Sequence, residues 1–248
     1  MTIPACAREG QPTAGVDYKS LMFEPRAYRK EGETDYKALL TYDISLARLR
    51  QAGLVRHPRP AEVFSLLIDD LEGKLTPEQR TVANNMLSFP GEWVSLAMER
   101  QGNVLVCYFE PEGLVWRPAV LDREKGRWTK NYYERDNFRF TERKEYILRK
   151  RYGLFRIPAG QEINLNQFSD ELVTALFSRP FKDLPLKMRK DINDRRVKLR
   201  LPPEGELWPV ARWGYLDNYY ALDGNTNRTT DRICYHASRG VVPSGSEG

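Results

Sequence analysis

Apolar and polar positions alternate most cleanly between Trp93 and Trp116, which reads WVSLAMERQGNVLVCYFEPEGLVW. Val94, Leu96 and Met98 alternate with Trp93, Ser95, Ala97 and Glu99. Val104, Val106 and Tyr108 alternate with Leu105, Cys107 and Phe109. A period of two in apolar and aromatic residues predicts strands. Gln101-Gly102-Asn103 makes a short turn in which Gly102 can take a positive φ. Glu110-Pro111-Glu112-Gly113 makes a second turn. The expectation is a three-stranded antiparallel meander on which the core forms.

Upstream the period lengthens to that of helices. Tyr36, Leu39, Leu40, Ile44, Ala47 and Leu49 recur at three- and four-residue steps, predicting a helix from Thr34 to Ala52 that Thr34 caps and Gly53 stops. After His57-Pro58-Arg59-Pro60, a second helix runs from Ala61 to about Leu71, with Val63, Phe64, Leu67, Ile68 and Leu71 apolar and Gly73 at its end. Pro60 suits the first helical position. Thr76-Pro77-Glu78-Gln79 opens a third: Thr76 is the N-cap, Pro77 the first helical residue, and Gln79 sits where a capping box places Glu or Gln. Val82, Ala83, Met86 and Leu87 form its inner face, and Pro90-Gly91 stops it. Before these helices, Met1 to about Gly32 has no periodicity and reads as a loose arm with Leu21, Met22 and Phe23 tucked against the body.

Beyond Trp116 the chain turns basic and aromatic. Asp122 to Gly126 is a charged turn, Phe138 and Phe140 flank Arg139 at strand spacing, and Tyr146 to Lys150 fits strand or helix. Asn166 to Phe177 predicts a helix with Leu172, Val173, Leu176 and Phe177 inward. Leu184, Met188 and Ile192 predict another, with Pro185 near its start. From Arg196 the period returns to two: Val197, Leu199 and Leu201 alternate with Arg196, Lys198 and Arg200, giving a strand with one apolar and one basic face. Leu207 to Leu222 holds two more strands, and Arg232 to Val242 a last one. The fold class expected is α+β: an N-terminal helical group packed on the meander, then further strands and two helices. The chain divides into a flexible arm (1–33), helices, meander and basic-aromatic segment (34–156), an α+β half (157–242) and a frayed tail (243–248). Residues 34–242 form one domain or two, the break then falling near Pro158-Ala159-Gly160.

One turn occurs twice. Pro111-Glu112-Gly113-Leu114-Val115-Trp116 and Pro203-Glu204-Gly205-Glu206-Leu207-Trp208 each lead into a strand with Trp three residues after Gly. With His57-Pro58-Arg59-Pro60, Leu71-Glu72-Gly73-Lys74-Leu75 and Gly91-Glu92-Trp93, these stretches resemble a set of uncharacterised archaeal proteins. The resemblance covers roughly Tyr36 to Trp116, and Asn166 to the end more loosely. No activity attaches to that set, so it carries over no site, cofactor or substrate.

Charge adds what periodicity cannot. The net charge of +5 is modest, but Arg117 to Arg156 holds 13 Lys and Arg against 6 Asp and Glu, and Arg179 to Arg200 holds 9 against 3. Two basic segments in an otherwise acidic chain point to an anionic partner. Hydrophobic residues make up 41% of the 248, enough for a sizeable core. No apolar run approaches the ~18 residues of a membrane span, and Met1 to Gln11 lacks a signal peptide's apolar core. A soluble protein of the cytoplasm, without membrane partners, is expected. Cys6, Cys107 and Cys234 show no disulfide spacing.

Little in the chain points to catalysis. Zinc needs about four ligands in one place. His57, His236 and the strand-spaced Cys234-x-His236 pair fall short of that. Gly-x-Ser-x-Gly and Gly-rich phosphate loops are absent. Glu142-Arg143-Lys144, with Asp122 upstream, looks like the acidic constellation of restriction-type nucleases, whose carboxylates hold Mg²⁺ while the lysine steadies the phosphate. Acid-x-Lys is common in charged chains, however. The leading expectation is non-catalytic binding of nucleic acid or another anionic polymer. Lys and Arg would neutralise phosphates, and aromatic faces would stack on unpaired bases. The candidate residues are Arg127, Trp128, Lys130, Tyr132, Arg139, Arg143, Lys144, Lys150, Arg196, Lys198 and Arg200. The alternatives are a protein that binds an acidic partner or plays a structural part and, behind it, the Mg²⁺-dependent nuclease. No cofactor, metal or catalytic residue is assigned.

Overall fold

The computed structural model describes residues 21–23, 40–87, 92–148, 162–164, 170–194, 197–215, 219–223 and 240–243. In chain order the elements are β1 (Leu21–Phe23), α1 (Tyr42–Gln51), α2 (Pro60–Leu71), α3 (Pro77–Leu87), β2 (Glu92–Gln101), β3 (Val104–Phe109), β4 (Glu112–Arg117), β5 (Leu121–Asp122), β6 (Arg127–Trp128), β7 (Tyr132–Arg139), β8 (Glu142–Ile147), β9 (Glu162–Asn164), α4 (Asp170–Phe177), α5 (Leu186–Asn193), β10 (Val197–Arg200), β11 (Leu207–Tyr215), β12 (Tyr219–Asp223) and β13 (Val241–Pro243). The class is α+β, as the periodicities predict. Its centre is a seven-stranded sheet in the order β8-β3-β2-β11-β12-β10-β9. Neighbours run antiparallel except β10 and β12, which are parallel. Strands from both sides of the Pro158-Ala159-Gly160 break share this sheet.

The alternation read in β2 sorts its residues onto two cores. Val94, Leu96 and Met98 face one cluster with Val63, Phe64, Ile68, Leu172, Phe177 and Ile192 from the helices. Trp93 and Ala97 face a second cluster with Tyr42, Leu114, Tyr133 and Trp208. The sheet is thus covered on both faces, by α2–α5 on one side and by α1 with β4 and β7 on the other. Being central, β2 is buried along its whole length except Gln101. Helix α2 lies at the middle of its layer, buried from Pro60 to Asp69, and Phe64 meets Phe177 of α4 at 4.2 Å between ring centroids.

Local signals hold where they fall on described residues. The α3 capping box is made both ways: the Gln79 N–H donates to Thr76 Oγ1 at 3.3 Å, and the Thr76 N–H donates to Gln79 Oε1 at 3.1 Å. Gly53 and Gly73 close α1 and α2 with φ of 78° and 69°. In each, the N–H after the glycine reaches back five residues, Leu54 to Leu49 at 2.8 Å and Lys74 to Asp69 at 2.9 Å, the paired geometry of a glycine-terminated helix. Leu21–Phe23 does join the body, pairing antiparallel with β13 from Leu21↔Pro243 to Phe23↔Val241. Tyr146 lies in a strand, β8, rather than a helix. The first helix begins at Tyr42; Thr34, expected to cap it, lies outside the described residues, as do Cys6, Cys234 and His236.

The meander is where long-range packing changes the expectation. Strands β2 and β3 form the predicted hairpin, with Gly102 at φ 59°. The third strand, β4, leaves the sheet, pairs with β7, and cedes the edge of β3 to β8. The corner is built at Glu110, whose φ is 52°. Arg56 holds Glu110 at 2.9 Å and Arg59 holds it at 2.7 Å, while Arg56 also grips Glu62 at 2.7 Å. So Arg56 and Arg59, on either side of His57-Pro58, act as a clamp for this corner. His57 is fully buried there, 3.0 Å from Ser45 Oγ. The turn sends Leu114 and Trp116 over the sheet face, where burial gains more than extending an edge would. Strand β10 also departs from the expected basic platform. It is an interior strand, flanked by β12 and β9, and Lys198 and Arg200 are half-buried on it.

Candidate functional site

Strands β4 and β7 with β5 and β6 form one continuous hairpin, Glu112 to Arg139. Its inner half is bolted to the body. The rings of Trp116, Tyr133 and Trp208 meet pairwise at 5.1, 5.5 and 6.0 Å. The Trp116 N–H donates to Asp43 of α1 at 3.3 Å, and the Tyr42 N–H donates to the Tyr133 hydroxyl at 3.3 Å. The two tryptophans of the repeated Pro-Glu-Gly-x-x-Trp turn therefore stack into one core, each following a glycine of positive φ, 72° at Gly113 and 75° at Gly205.

The outer half projects. The Thr129 N–H donates to the Val120 carbonyl and the Val120 N–H to Thr129 Oγ1, both at 2.8 Å. Then Leu121 pairs with Trp128 and Asp122 with Arg127. Gly126, at φ 61°, turns the tip. Val120 and Leu121 are 58% and 47% exposed, and Tyr132, at the root, is 49% exposed. Residues 117–132 carry five Lys and Arg against two Asp and Glu. Asp122 and Glu134 take up Lys125 and Arg117, at 3.4 and 2.5 Å. Arg123, Arg127 and Lys130 are exposed and have no carboxylate partner among the described residues.

Of the residues expected to form a site, the hairpin brings together Arg127, Lys130 and Tyr132. It also places Trp128 in β6, with its side chain outside the described residues. The others are dispersed. Arg139 lies at the far end of β7, beside Glu112 at 3.4 Å. Arg143 and Lys144 lie on the edge strand β8 and pair with their own neighbours, Glu145 at 2.5 Å and Glu142 at 2.9 Å. Lys198 and Arg200 are on β10, five strand steps from β8, about 24 Å at ~4.8 Å per step. Lys150 and Arg196 lie outside the described residues. Several aromatics of the segment belong to the core: Tyr133 and Tyr146 are each 6% exposed, and Phe138 packs on Tyr108 at 5.3 Å. The nuclease set is not assembled either. Asp122 caps the hairpin tip, accepting the Lys125 N–H at 3.1 Å, while Glu142 and Lys144 neutralise one another on β8. Among the described residues no group of three or more His, Cys, Asp or Glu could hold a metal ion.

Two features escape the sequence reading. Glu99 is buried, and its Oε2 accepts from Arg135 at 2.8 Å and from the Tyr108 hydroxyl at 3.0 Å. Burial, and then the neighbouring carboxylate, pushes the Tyr108 phenol upward against the Arg143 hydrogen bond. The signal was present: Glu99 continues the inward set Trp93, Ser95, Ala97, and a carboxylate on a buried face requires a cation. The second is a cleft of about 210 Å³ between the start of β7 and the start of β11, lined by Tyr132, Tyr133, Arg135, Glu206 and Trp208 among others. Glu206 Oε2 there accepts the Trp208 indole N–H at 2.8 Å.

No family model, no curated protein and no solved structure matches the chain. No helix among the described residues is long and apolar enough to cross a membrane.

Proposed function

We propose that the protein binds nucleic acid, without catalysis, through the outer half of the hairpin arm. The observation that supports this is the set of three exposed cations, Arg123, Arg127 and Lys130, on a two-stranded ribbon where Arg117 and Lys125 are paired with Glu134 and Asp122 and Glu124 is the one carboxylate of residues 117–132 without an ion pair among the described residues. A ribbon of this kind fits the ~12 Å major groove of B-form DNA or lies along a single strand. The exposed Val120, Leu121 and Tyr132 add apolar area for bases or sugars. Arg139, Arg143 and Lys144, with carboxylates at hand, contribute little.

Three phosphate contacts imply a log–log salt slope of about −2 for single strands and about −3 for duplex. Fluorescence anisotropy with labelled single-stranded DNA, RNA and duplex, at several salt concentrations, with and without Mg²⁺, measures this. The triple variant Arg123→Glu, Arg127→Glu, Lys130→Glu is expected to abolish binding while Arg143→Glu leaves it unchanged. No binding of any probe at low salt would overturn the reading and direct attention to an acidic protein partner, sought by pull-down. Shortened probe in Mg²⁺ would restore the nuclease.

A further inference from the structure

Tyr132 belongs to two places at once: it ends the exposed arm, and it walls the cleft at the arm's root. The cleft's size, about 210 Å³, is below the about 300–1,000 Å³ of sites for drug-sized ligands. It suits one ring system rather than a whole cofactor. Its charge selects further. Arg135 is matched by Glu99 at 2.8 Å, so Glu206 leaves the cleft with one uncompensated negative charge. A phosphate is repelled from such a place, and a flat ring with N–H donors on its edge is attracted.

The Glu206 carboxylate is held in position by the indole of Trp208 on Oε2. Oε1 and the second lone pair of Oε2 remain as acceptors. Two parallel N–H donors satisfy a carboxylate best, as a guanidinium does. Among the nucleobases guanine presents such a pair, N1–H beside the N2 amino group, and its Watson–Crick edge is open only when the base is unpaired. Tyr132, with half its surface exposed, can stack on a base that enters.

Building on the arm as the phosphate-binding element, we infer that the cleft receives an unpaired guanine from a strand whose backbone follows the arm. Glu206 accepts from N1–H and N2–H, and Tyr132 stacks on the ring. The protein is then a reader of single-stranded nucleic acid with a preference for guanine at one position.

The test uses the full chain and short labelled oligothymidylates carrying one central dG, dA, dC or dT, together with the dG strand annealed to its complement. The dG strand should bind about tenfold more tightly than the all-dT strand, the discrimination of one good bidentate contact. Annealing should remove that preference. So should Glu206→Gln, which keeps an acceptor for the indole but presents an amide donor to the base, and the salt slope should not change. Tyr132→Ala, at an exposed position, should weaken every single strand about tenfold and spare duplex. Equal binding of all strands and duplex, unaltered in Glu206→Gln, overturns the guanine cleft and leaves the arm standing. A preference for dA or dC over dG overturns it too. Failure of every strand to bind at low salt removes the arm, and the cleft with it.

Discussion

Gly113 and Gly205 occupy the same place in the two Pro-Glu-Gly-x-x-Trp turns and share a positive φ, yet their surroundings differ. A Cβ on Gly113 would lie 2.2 Å from the Asp136 carbonyl oxygen, whereas a Cβ on Gly205 would meet nothing within 4 Å. Gly205→Ala is therefore expected to cost roughly 1 kcal/mol, the left-handed backbone penalty alone. Gly113→Ala should cost roughly 3 kcal/mol or more, because β4 must also move away from β7. Urea denaturation of both variants checks this, and equal losses would mean the two strands are not held so closely. Cys107 makes a second case at this scale. It is fully buried in the helix-side core, and burial pushes its thiol up to about 12. The thiolate is the reactive form. In a Cys6→Ser, Cys234→Ser background, a thiol reagent at pH 8 should therefore find no reactive group in the folded protein and Cys107 alone in urea.

Single elements carry their own start and stop instructions, and these can be tested one at a time. Thr76→Ala removes the acceptor for the Gln79 N–H and should cost about 1 kcal/mol, with Thr76→Ser close to neutral. The hairpin arm is separable in a different sense. Its root is fixed by Trp116, Tyr133 and Trp208, and no described side chain beyond Arg117 and Tyr132 enters either hydrophobic cluster. Arg117 and Tyr132 are Cα partners, so an Asn-Gly loop joining them in place of residues 118–131 suits a two-residue hairpin. That variant should keep its stability within about 0.5 kcal/mol and lose nucleic-acid binding. A large drop in denaturation midpoint would show instead that the arm is part of the packed structure. The sheet edge at β8 is legible at this scale too. Its alternating, mutually paired charges, Glu142 with Lys144 and Arg143 with Glu145, resemble the charged edges that discourage strand addition by other chains.

For the whole molecule, buried acids that are neutral when protonated set the response to base. Burial raises Tyr42 and Tyr146 above the ordinary phenol value of 10.0, and Cys107 from 9.0 to about 12. The folded chain keeps these protons where the unfolded chain releases them. The contribution is complete below about pH 9 and is lost as pH rises towards the folded values. Denaturation followed by ellipticity from pH 8 to pH 12 should show this contribution level up to about pH 9 and stability falling above it, and a flat profile to pH 12 would contradict the burial of these groups. How much of this was written along the chain depends on the range of the interaction. The period-two alternation of β2 and β3, the α3 capping box, the glycine stops of α1 and α2, the apolar faces of α4 and α5 and the basic bias after Trp116 all rest on residues within a turn or two of one another. They were legible in the sequence for that reason. The departure of β4 to β7, the order of the seven strands, the pairing of Glu99 with Arg135 and the cleft that joins Tyr132 to Glu206 depend on segments far apart in sequence. Local propensity is indifferent among such pairings. Apolar area on both sheet faces, and the need of a buried carboxylate for a cation, select among them only once the chain has folded. Charge is the sharpest instance: the sequence alone determined that the segment after Trp116 is basic, and only the tertiary structure decided which of its cations are already paired and which stand free on the arm.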